Sequence, residues 1–239
     1  KKITVVGGGP AGLEAARAAA LAGHQVTIYE KNNRLGGQFA TAAIPPAKGE
    51  LASFISWQVD QIKKLGVTIK LNTPYTTAIC DEEKPDLVIV ATGASCAKPN
   101  IKGIEGENVV IAEDVLQGKA EVKGKVVVAG GGLIGSETAM YLASLGKDVT
   151  IVEMLPEIAG SEDMTRRRFL LKALKKGNVK IFTDAKIVEI NEKGVVISKG
   201  EETTTIEAES VVLALGMKPE NELAKELEGK AEIKVVGDA

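Results

Sequence analysis

Short apolar runs rich in β-branched residues recur along this chain, and most of them end at a glycine or an acidic residue. They cover residues 3–6, 26–29, 87–90, 126–129, 149–152, 211–215 and 235–236. Unbroken apolar runs of this length are typical of parallel strands that are covered on both faces. The pattern therefore predicts a buried parallel sheet.

Two alanine-rich stretches follow two of these runs and predict helices. They cover residues 11–22 and 134–145, and small side chains occupy the positions at which a helix would pack closely on a sheet. Strand and helix alternate, which is typical of an α/β fold.

The two strand-helix-strand segments are copies of each other. When residues 1–30 are aligned with residues 124–153, 14 positions are identical, including Gly7 with Gly130 and Glu30 with Glu153. An internal repeat of this kind indicates two copies of one supersecondary unit. We expect two nested Rossmann-like domains, the first formed by residues 1–98 and 215–239 and the second inserted as residues 99–214. The last strand should return to the first sheet.

Composition and charge narrow the possible ligands. Lys and Arg total 30 against 32 Asp and Glu, so no basic surface for nucleic acid or membrane is indicated. No apolar run approaches the roughly 18 residues of a membrane span, and no secretion signal opens the chain. These features predict a soluble, cytoplasmic protein that binds small ligands.

The chemistry-bearing side chains are few. Cys80 and Cys96 are the only cysteines and have no metal-ligand spacing, so we expect reduced, buried thiols and no metal. The single histidine, His24, lies in a predicted turn where a structural role is expected, and no catalytic residue is assigned. The chain begins without Met and stops just after Gly237 and Asp238, which predicts a C-terminally truncated fragment of a longer protein.

The first copy carries a dinucleotide-binding fingerprint. Gly7, Gly9 and Gly12 have the G-x-G-x-x-G spacing, with Pro10 and Ala11 at the start of the predicted helix. Glycines at these positions permit a tight turn and a close approach of the backbone to a pyrophosphate, and the helix N-terminus supplies N–H donors. Glu30 closes the next strand, where a carboxylate can accept hydrogen bonds from ribose hydroxyls. The order of these elements predicts nucleotide binding.

The second copy repeats the fingerprint and indicates NADH. Its elements are Gly130, Gly132, Leu133, Ile134, Gly135 and the strand-ending Glu153. A carboxylate at this position accepts from a 2′-hydroxyl and repels a 2′-phosphate. The arginines at 166–168 are a possible phosphate clamp, but they lie well beyond the strand end, and a solvated helix face is the preferred interpretation.

The flanking motifs resemble those of the two-dinucleotide-binding flavoprotein superfamily, whose glutathione reductase-like fold binds FAD and NAD(P). The motifs are 30–38 with Gly36-Gly37-Gln38, Ala91-Thr92-Gly93, the second fingerprint, 213–219 with Gly216, and 236–238. By this resemblance, the first fingerprint, Glu30 and Lys31 hold the ADP half of FAD, and Arg34, Gly37 and Gln38 lie near the pyrophosphate and flavin. Thr92 and Gly93 lead the chain past the cofactor into the inserted domain, and Asp238 binds the ribityl chain.

A subgroup follows from further motifs. The cysteine pairs of the thioredoxin reductase and glutathione reductase groups are missing, which excludes a disulfide relay. Gly36-Gly37-Gln38-Phe39 followed by Pro45-Pro46 resembles the C-terminal half of the enoate reductase and 2,4-dienoyl-CoA reductase family, relatives of Old Yellow Enzyme. That resemblance implies an electron-input module linked to a barrel domain with FMN and an iron-sulfur cluster.

Two alternatives stay open. Trimethylamine dehydrogenase resembles this family yet holds only ADP at the first site, which would make the chain a structural module. A free-standing NADH:acceptor reductase of the ferredoxin-coupled type is the other. Glu137 lies near the nicotinamide in related folds, but Glu14 occupies the same place in the first copy, so a shared structural role is also possible.

Overall fold

The computed structural model describes residues 1–46 and 48–239. Its helices are α1 Pro10–Leu21, α2 Gly37–Ala42, α3 Gly49–Lys64, α4 Thr77–Glu83, α5 Ala112–Leu116, α6 Leu133–Ser144, α7 Met164–Lys176 and α8 Glu222–Glu226. Its strands are β1 Lys2–Val6, β2 Gln25–Tyr29, β3 Thr68–Lys70, β4 Leu87–Val90, β5 Ala94–Cys96, β6 Val109–Ile111, β7 Lys125–Ala129, β8 Asp148–Val152, β9 Lys180–Phe182, β10 Lys186–Asn191, β11 Gly194–Lys199, β12 Glu202–Glu207, β13 Ser210–Leu213, β14 Met217–Pro219 and β15 Glu232–Val235.

The chain divides into two compact units. The first unit contains Lys1–Ser95 and Lys218–Ala239, and the second contains Cys96–Met217. The limits expected from the sequence were 98/99 and 214/215, close to the crossing strands β5 and β14, which pair with each other.

A five-stranded parallel sheet in the order β15-β4-β1-β2-β3 forms the centre of the first unit. The last strand, β15, pairs with β4, so it returns to the first sheet as the sequence predicts. Alternate residues of β1 enter different cores: Ile3 and Val5 pack on the α1 and α3 side, and Val6 packs with Tyr29 and Val90. The unbroken apolar run is therefore explained by burial on both faces.

The second unit repeats this architecture. Its parallel sheet has the order β6-β13-β7-β8-β9, and β7 sends Val126 and Val128 to one core and Val127 and Ala129 to the other. All four side chains are buried. A three-stranded antiparallel sheet, β10-β11-β12, is added to this unit. The α/β, Rossmann-like fold class is confirmed.

Three local expectations need correction. Cys96 is only half-buried, because it lies on the crossing strand β5, whereas Cys80 is buried as predicted. Strand β13 ends at Leu213 and not at 215, because the chain turns at Gly216, where φ is 101°. Strand β15 begins earlier than predicted, at Glu232. Among the described residues, no helix combines the length and apolar character needed to cross a membrane.

Candidate nucleotide-binding sites

The first fingerprint joins β1 to α1 and leaves a helix N-terminus without a cap of its own. Gly9 is the N-cap residue, it provides no side-chain hydrogen bond, and the first turn of α1 holds no acidic residue. The same is true of Gly132 and α6 in the second unit. By contrast, the side chains of Thr76 and Asp163 cap α4 and α7. Free N–H groups at a helix start are a binding site for an anion such as phosphate.

The outer glycines of each fingerprint are required by the protein itself. Gly7 has φ of 107°, and a Cβ there would lie 2.2 Å from the Ala91 carbonyl oxygen. A Cβ at Gly12 would lie 1.9 Å from the Gly7 oxygen. Gly130 and Gly135 meet equivalent obstacles, at 2.3 Å from Ala214 O and 1.9 Å from Gly130 O. These positions need glycine because strand, turn and helix touch.

The middle glycines are different, because nothing inside the protein requires them. Gly9 has φ of −76°, and the atom nearest to a Cβ placed on it is the Gly37 Cα at 3.9 Å. Gly132 has φ of −63°, and no atom lies within 4 Å of such a Cβ. Any L-residue could adopt these conformations. The space beside Gly9 and Gly132 is therefore a cradle that a Cβ would fill, and it fits a pyrophosphate lying against the backbone.

The two strand-ending acids hold the glycine loops in the same way. Oε2 of Glu30 accepts from the Gly8 N–H at 2.8 Å, and Oε1 accepts from the Asn32 N–H at 2.8 Å. Oε2 of Glu153 accepts from the Gly131 N–H at 2.7 Å, and Oε1 accepts from the Leu155 N–H at 2.8 Å. Each carboxylate thus sits beside its loop and keeps lone pairs for a further donor, such as a ribose hydroxyl.

The two acids differ in how much of their hydrogen-bonding capacity is used. Glu30 is buried and also accepts from the Asn32 side-chain amide at 2.8 Å. Glu153 is half-buried and has one bond fewer. Asn32 lies within the 30–38 motif, but it was not among the predicted site residues.

The additional motifs of the first unit surround its fingerprint. Gly37, with φ of 51°, lies so close to Gly9 that a Cβ on it would be 2.9 Å from the Gly9 Cα. Gln38 donates from Nε2 to the Ala94 carbonyl oxygen. A Cβ on Gly237 would be 2.8 Å from the Ala11 Cβ, which places the 237–238 segment at the start of α1. Lys31, Arg34 and Asp238 are exposed.

The turn after β4 lies against the first fingerprint. The Ala91 carbonyl and the Thr92 nitrogen are the neighbours that a Cβ on Gly7 would meet. Gly93 has φ of 70°, and the Thr92 hydroxyl donates to the Glu220 carbonyl oxygen. Glu220 and Ser95, whose side chains are hydrogen-bonded, were missed because they lie 125 residues apart in the sequence.

Glu137 and Glu14 occupy equivalent positions but have different environments. Glu137 is buried, and its Oε1 lies 3.3 Å from Nη2 of Arg166. Glu14 is exposed, and its pKa is lowered by the hydrogen bond from Arg17, at 2.6 Å in the closer contact. Both carboxylates pair with an arginine, so a structural role shared by both copies stays open. The contact of Glu137 with a nicotinamide stays a prediction.

Two arginines of α7 form ion pairs with acidic residues. Arg166 also pairs with Glu162 at 3.0 Å. Arg167 pairs with Glu157 at 2.7 Å and donates to the Ile158 carbonyl oxygen at 3.0 Å. Arg166 and Arg168 are exposed, which agrees with a solvated helix face, and Arg167 is half-buried. The ion pairs leave two fewer cations for a phosphate clamp.

Comparison with known proteins identifies the family. A family model described as pyridine nucleotide-disulphide oxidoreductase matches residues 1–236. The chain belongs to this family. As the flanking motifs indicated, this pyridine nucleotide-disulphide oxidoreductase domain is a binding module for FAD and a nicotinamide nucleotide. Its described cysteines are free.

Similar proteins include several larger reductases. An NADH oxidase of Thermoanaerobacter brockii is 42% identical over 246 aligned residues, which cover 100% of this chain and 38% of the relative. A cinnamate reductase of Clostridium sporogenes is 37% identical, with 100% and 36% covered. The structure of a 2-naphthoyl-CoA reductase superposes with a TM-score of 0.96 at 39% identity, with 100% and 36% covered. These relatives confirm the resemblance to the enoate reductase type.

The family domain thus spans less than two-fifths of these relatives. A more distant structure, an NAD-dependent persulfide reductase from A. fulgidus, shares the fold with a TM-score of 0.72 at 23% identity.

Proposed function

We propose that the chain is the FAD- and NADH-binding electron-input module of a flavin-dependent oxidoreductase. The observation that carries this proposal is the pair of middle glycines. Gly9 and Gly132 have ordinary backbone angles and face open space, so a bound pyrophosphate is the physical reason for glycine there. The same feature in both units supports two dinucleotides.

The first site is assigned to FAD because it has more parts. Gly37 packs on Gly9, Gln38 bonds to Ala94, and Gly237 lies against Ala11, so three further segments surround this fingerprint. Gly7, Gly9, Gly12 and Glu30 would hold the ADP half of FAD. Lys31, Arg34, Gln38, Thr92, Gly93 and Asp238 would lie along the rest of the cofactor, as the resemblance implies.

The second site is assigned to NADH because of its charge. The Glu153 carboxylate accepts two backbone hydrogen bonds and can accept a third from a ribose 2′-hydroxyl, while it would repel a 2′-phosphate. Arg166 and Arg167 are already paired with acidic residues. Gly130, Gly132, Leu133, Ile134 and Gly135 would hold the pyrophosphate. Gly216 would also contact the cofactor, and Glu137 would lie nearer the nicotinamide.

Hydride transfer from NADH to FAD does not require an acidic or basic side chain. When both are bound, NADH supplies a hydride and FAD accepts it, and this transfer needs the two rings to be held in contact and shielded from water. The contribution of the chain is therefore binding and orientation, which agrees with the lack of an assigned catalytic acid or base. Because relatives are longer, we propose that the electrons pass on to an FMN and iron-sulfur domain in a longer polypeptide.

The proposal is tested by electron transfer to an artificial acceptor. The purified protein is incubated with FAD, freed of excess cofactor, and mixed with ferricyanide and either NADH or NADPH. We expect bound flavin and reduction of ferricyanide with NADH in preference to NADPH. Uptake of ADP but not FAD, with no reduction, would instead support the structural-module alternative.

A further inference from the structure

Glu220, in the part of the chain that returns to the first unit, forms hydrogen bonds to the turn that follows β4. After β14, the Glu220 N–H donates to the Gly93 carbonyl oxygen at 2.8 Å, and the Glu220 carbonyl accepts from the Thr92 hydroxyl. Its carboxylate Oε1 accepts from the Ser95 hydroxyl. Three hydrogen bonds therefore join one residue to the 92–95 segment, and Glu220, Thr92 and Ser95 are all half-buried.

The segment to which Glu220 is bonded begins at Thr92, which lies beside the first fingerprint. Ala91 and Thr92 directly face Gly7, and the Ala91 Cβ would lie 3.3 Å from a Cβ on Gly12. On the other side, Gln38 of the Gly-Gly-Gln motif donates to Ala94. The backbone at Ala91 and Thr92 therefore lies against the fingerprint, and the 93–95 residues continue directly from it.

The internal repeat shows which of these bonds belong to the fold in general. In the second copy, Leu215 and Gly216 replace Thr92 and Gly93. The backbone bond is kept, since the Ala97 N–H donates to the Gly216 oxygen at 2.9 Å. The hydroxyl bond has no counterpart there, because leucine has no donor in its side chain. The fold itself therefore needs only the backbone bond.

We propose that Glu220 and Ser95 are positioning residues for the flavin site, which fix the 92–95 segment beside the first fingerprint. This inference rests on the proposed function, because it takes the first site to be the FAD site. The Ser95 hydroxyl and the Glu220 carboxylate form a charge-assisted hydrogen bond, which is stronger than a bond between neutral groups. Without it, Ser95 and the adjoining Ala94, to which Gln38 is bonded, are held to the returning chain only by the backbone pairing of β5 with β14.

The test is an FAD titration of the purified protein, followed by absorbance and visible circular dichroism. The variants are Ser95→Ala, Glu220→Ala, the double variant, and Glu220→Gln, whose amide oxygen can still accept from Ser95. Ser198→Ala, in an exposed hairpin of the other unit, is the matched control. Thermal unfolding of each variant without FAD reports on the fold.

We expect Ser95→Ala and Glu220→Ala to weaken FAD binding by the same factor, about tenfold for loss of one hydrogen bond to a charged group. The double variant should be no weaker than either single variant, because both remove the same bond. Glu220→Gln should bind within about twofold of the unaltered protein. The visible circular dichroism of bound FAD should change in the two alanine variants and in neither Glu220→Gln nor Ser198→Ala.

The proposal would be overturned if the losses of FAD affinity in the two alanine variants were additive in the double variant, or if Glu220→Gln bound FAD as weakly as Glu220→Ala. It would also be overturned if both alanine variants kept the affinity and the spectrum of the unaltered protein. So would a loss of thermal stability in the alanine variants with FAD affinity unaltered, since that is a structural role alone. An unaltered protein that takes up no FAD at saturating concentration overturns the proposed function, and this inference with it.

Discussion

The Glu153 carboxylate accepts a hydrogen bond from the Gly131 N–H at 2.7 Å, across 22 residues of sequence. The same separation joins Glu30 to Gly8 in the first copy. Each acid therefore does two things, since it holds the glycine loop in place and presents its free lone pairs beside the start of the helix. This double role makes the acids the most informative positions to change.

Replacing Glu153 or Glu30 by glutamine should weaken the binding of one nucleotide and leave the binding of the other unchanged. Glu153→Gln removes the charge and one backbone acceptor, so we expect NADH affinity to fall about tenfold, as for loss of one charge-assisted hydrogen bond. FAD affinity should stay unchanged. Glu30→Gln should do the reverse, and calorimetric titration with each nucleotide measures both. If Glu153→Gln weakens FAD and spares NADH, the assignment of the sites is inverted.

The nucleotide preference should be reversible by charge. Met154 follows Glu153 and is 66% exposed, so a longer cation is accommodated there. We expect Glu153→Ser with Met154→Arg to favour NADPH, because a repulsion is removed and a bidentate donor to the 2′-phosphate is added. The measurement is the ratio of the two dissociation constants, with Glu153→Ser alone as the control. A double variant that still prefers NADH would show that other groups set the preference.

The middle and outer glycines should respond in opposite ways to alanine. Gly132→Ala places its Cβ in open space at φ of −63°, so stability should change by less than about 1 kcal/mol, because the stiffer unfolded chain offsets the weaker N-cap, while NADH affinity falls. Gly130→Ala forces φ of 102° and a clash with Ala214, and the backbone strain alone costs about 1–3 kcal/mol. Urea unfolding and NADH titration of both variants give the comparison. Normal NADH affinity in Gly132→Ala would contradict the cradle.

Acid should destabilise the first unit through Glu83. Burial raises the pKa of this carboxyl. Hydrogen bonds from Lys70, at 2.7 Å, and from the Tyr29 hydroxyl lower the pKa by more than burial raises it, so the net pKa lies below the ordinary value of 4.5. A lowered pKa in the folded state stabilises the protein above pH 4.5, and this stabilisation is lost as the pH falls through the folded value.

The pH dependence can be isolated with an amide variant. Between pH 7 and pH 3.5, we expect the free energy of unfolding to fall less in Glu83→Gln than in the unaltered protein, because the variant lacks the titrating group. Glu226→Gln, on the exposed side of α8, is the control and should retain the full loss. Parallel curves for Glu83→Gln and the unaltered protein would refute the role of Glu83.

The inner strands of both parallel sheets and the helices that follow the fingerprints could be predicted within one or two residues, whereas the edge strands β3, β6 and β9 were not predicted and β15 was placed three residues late. The predicted strand 126–129 is β7, and the predicted helix 134–145 is α6, shifted by one residue. A strand that is buried on both faces has an unbroken apolar run in its sequence, and a glycine with a required conformation marks the turn that follows. The ends of β2 and β8 could be predicted because their apolar runs stop at Glu30 and Glu153.

Contacts between distant parts of the chain could not be predicted. The bond between Ser95 and Glu220 depends on where the returning strand lies, and neither residue belongs to a motif. The pairing of Arg166 with Glu137 was missed because helical spacing says nothing about a neighbouring helix. The antiparallel strands β10–β12 are partly exposed and mix apolar with polar residues, so they lack the unbroken apolar runs that mark the parallel strands.

The most direct test of the account is the absorbance spectrum of the FAD-loaded protein before and after NADH is added without oxygen. We predict a flavin band in the visible range that is bleached by one equivalent of NADH and much more slowly by NADPH. A protein that stays colourless after incubation with FAD, or a flavin band that NADH leaves unchanged, would contradict the central claim.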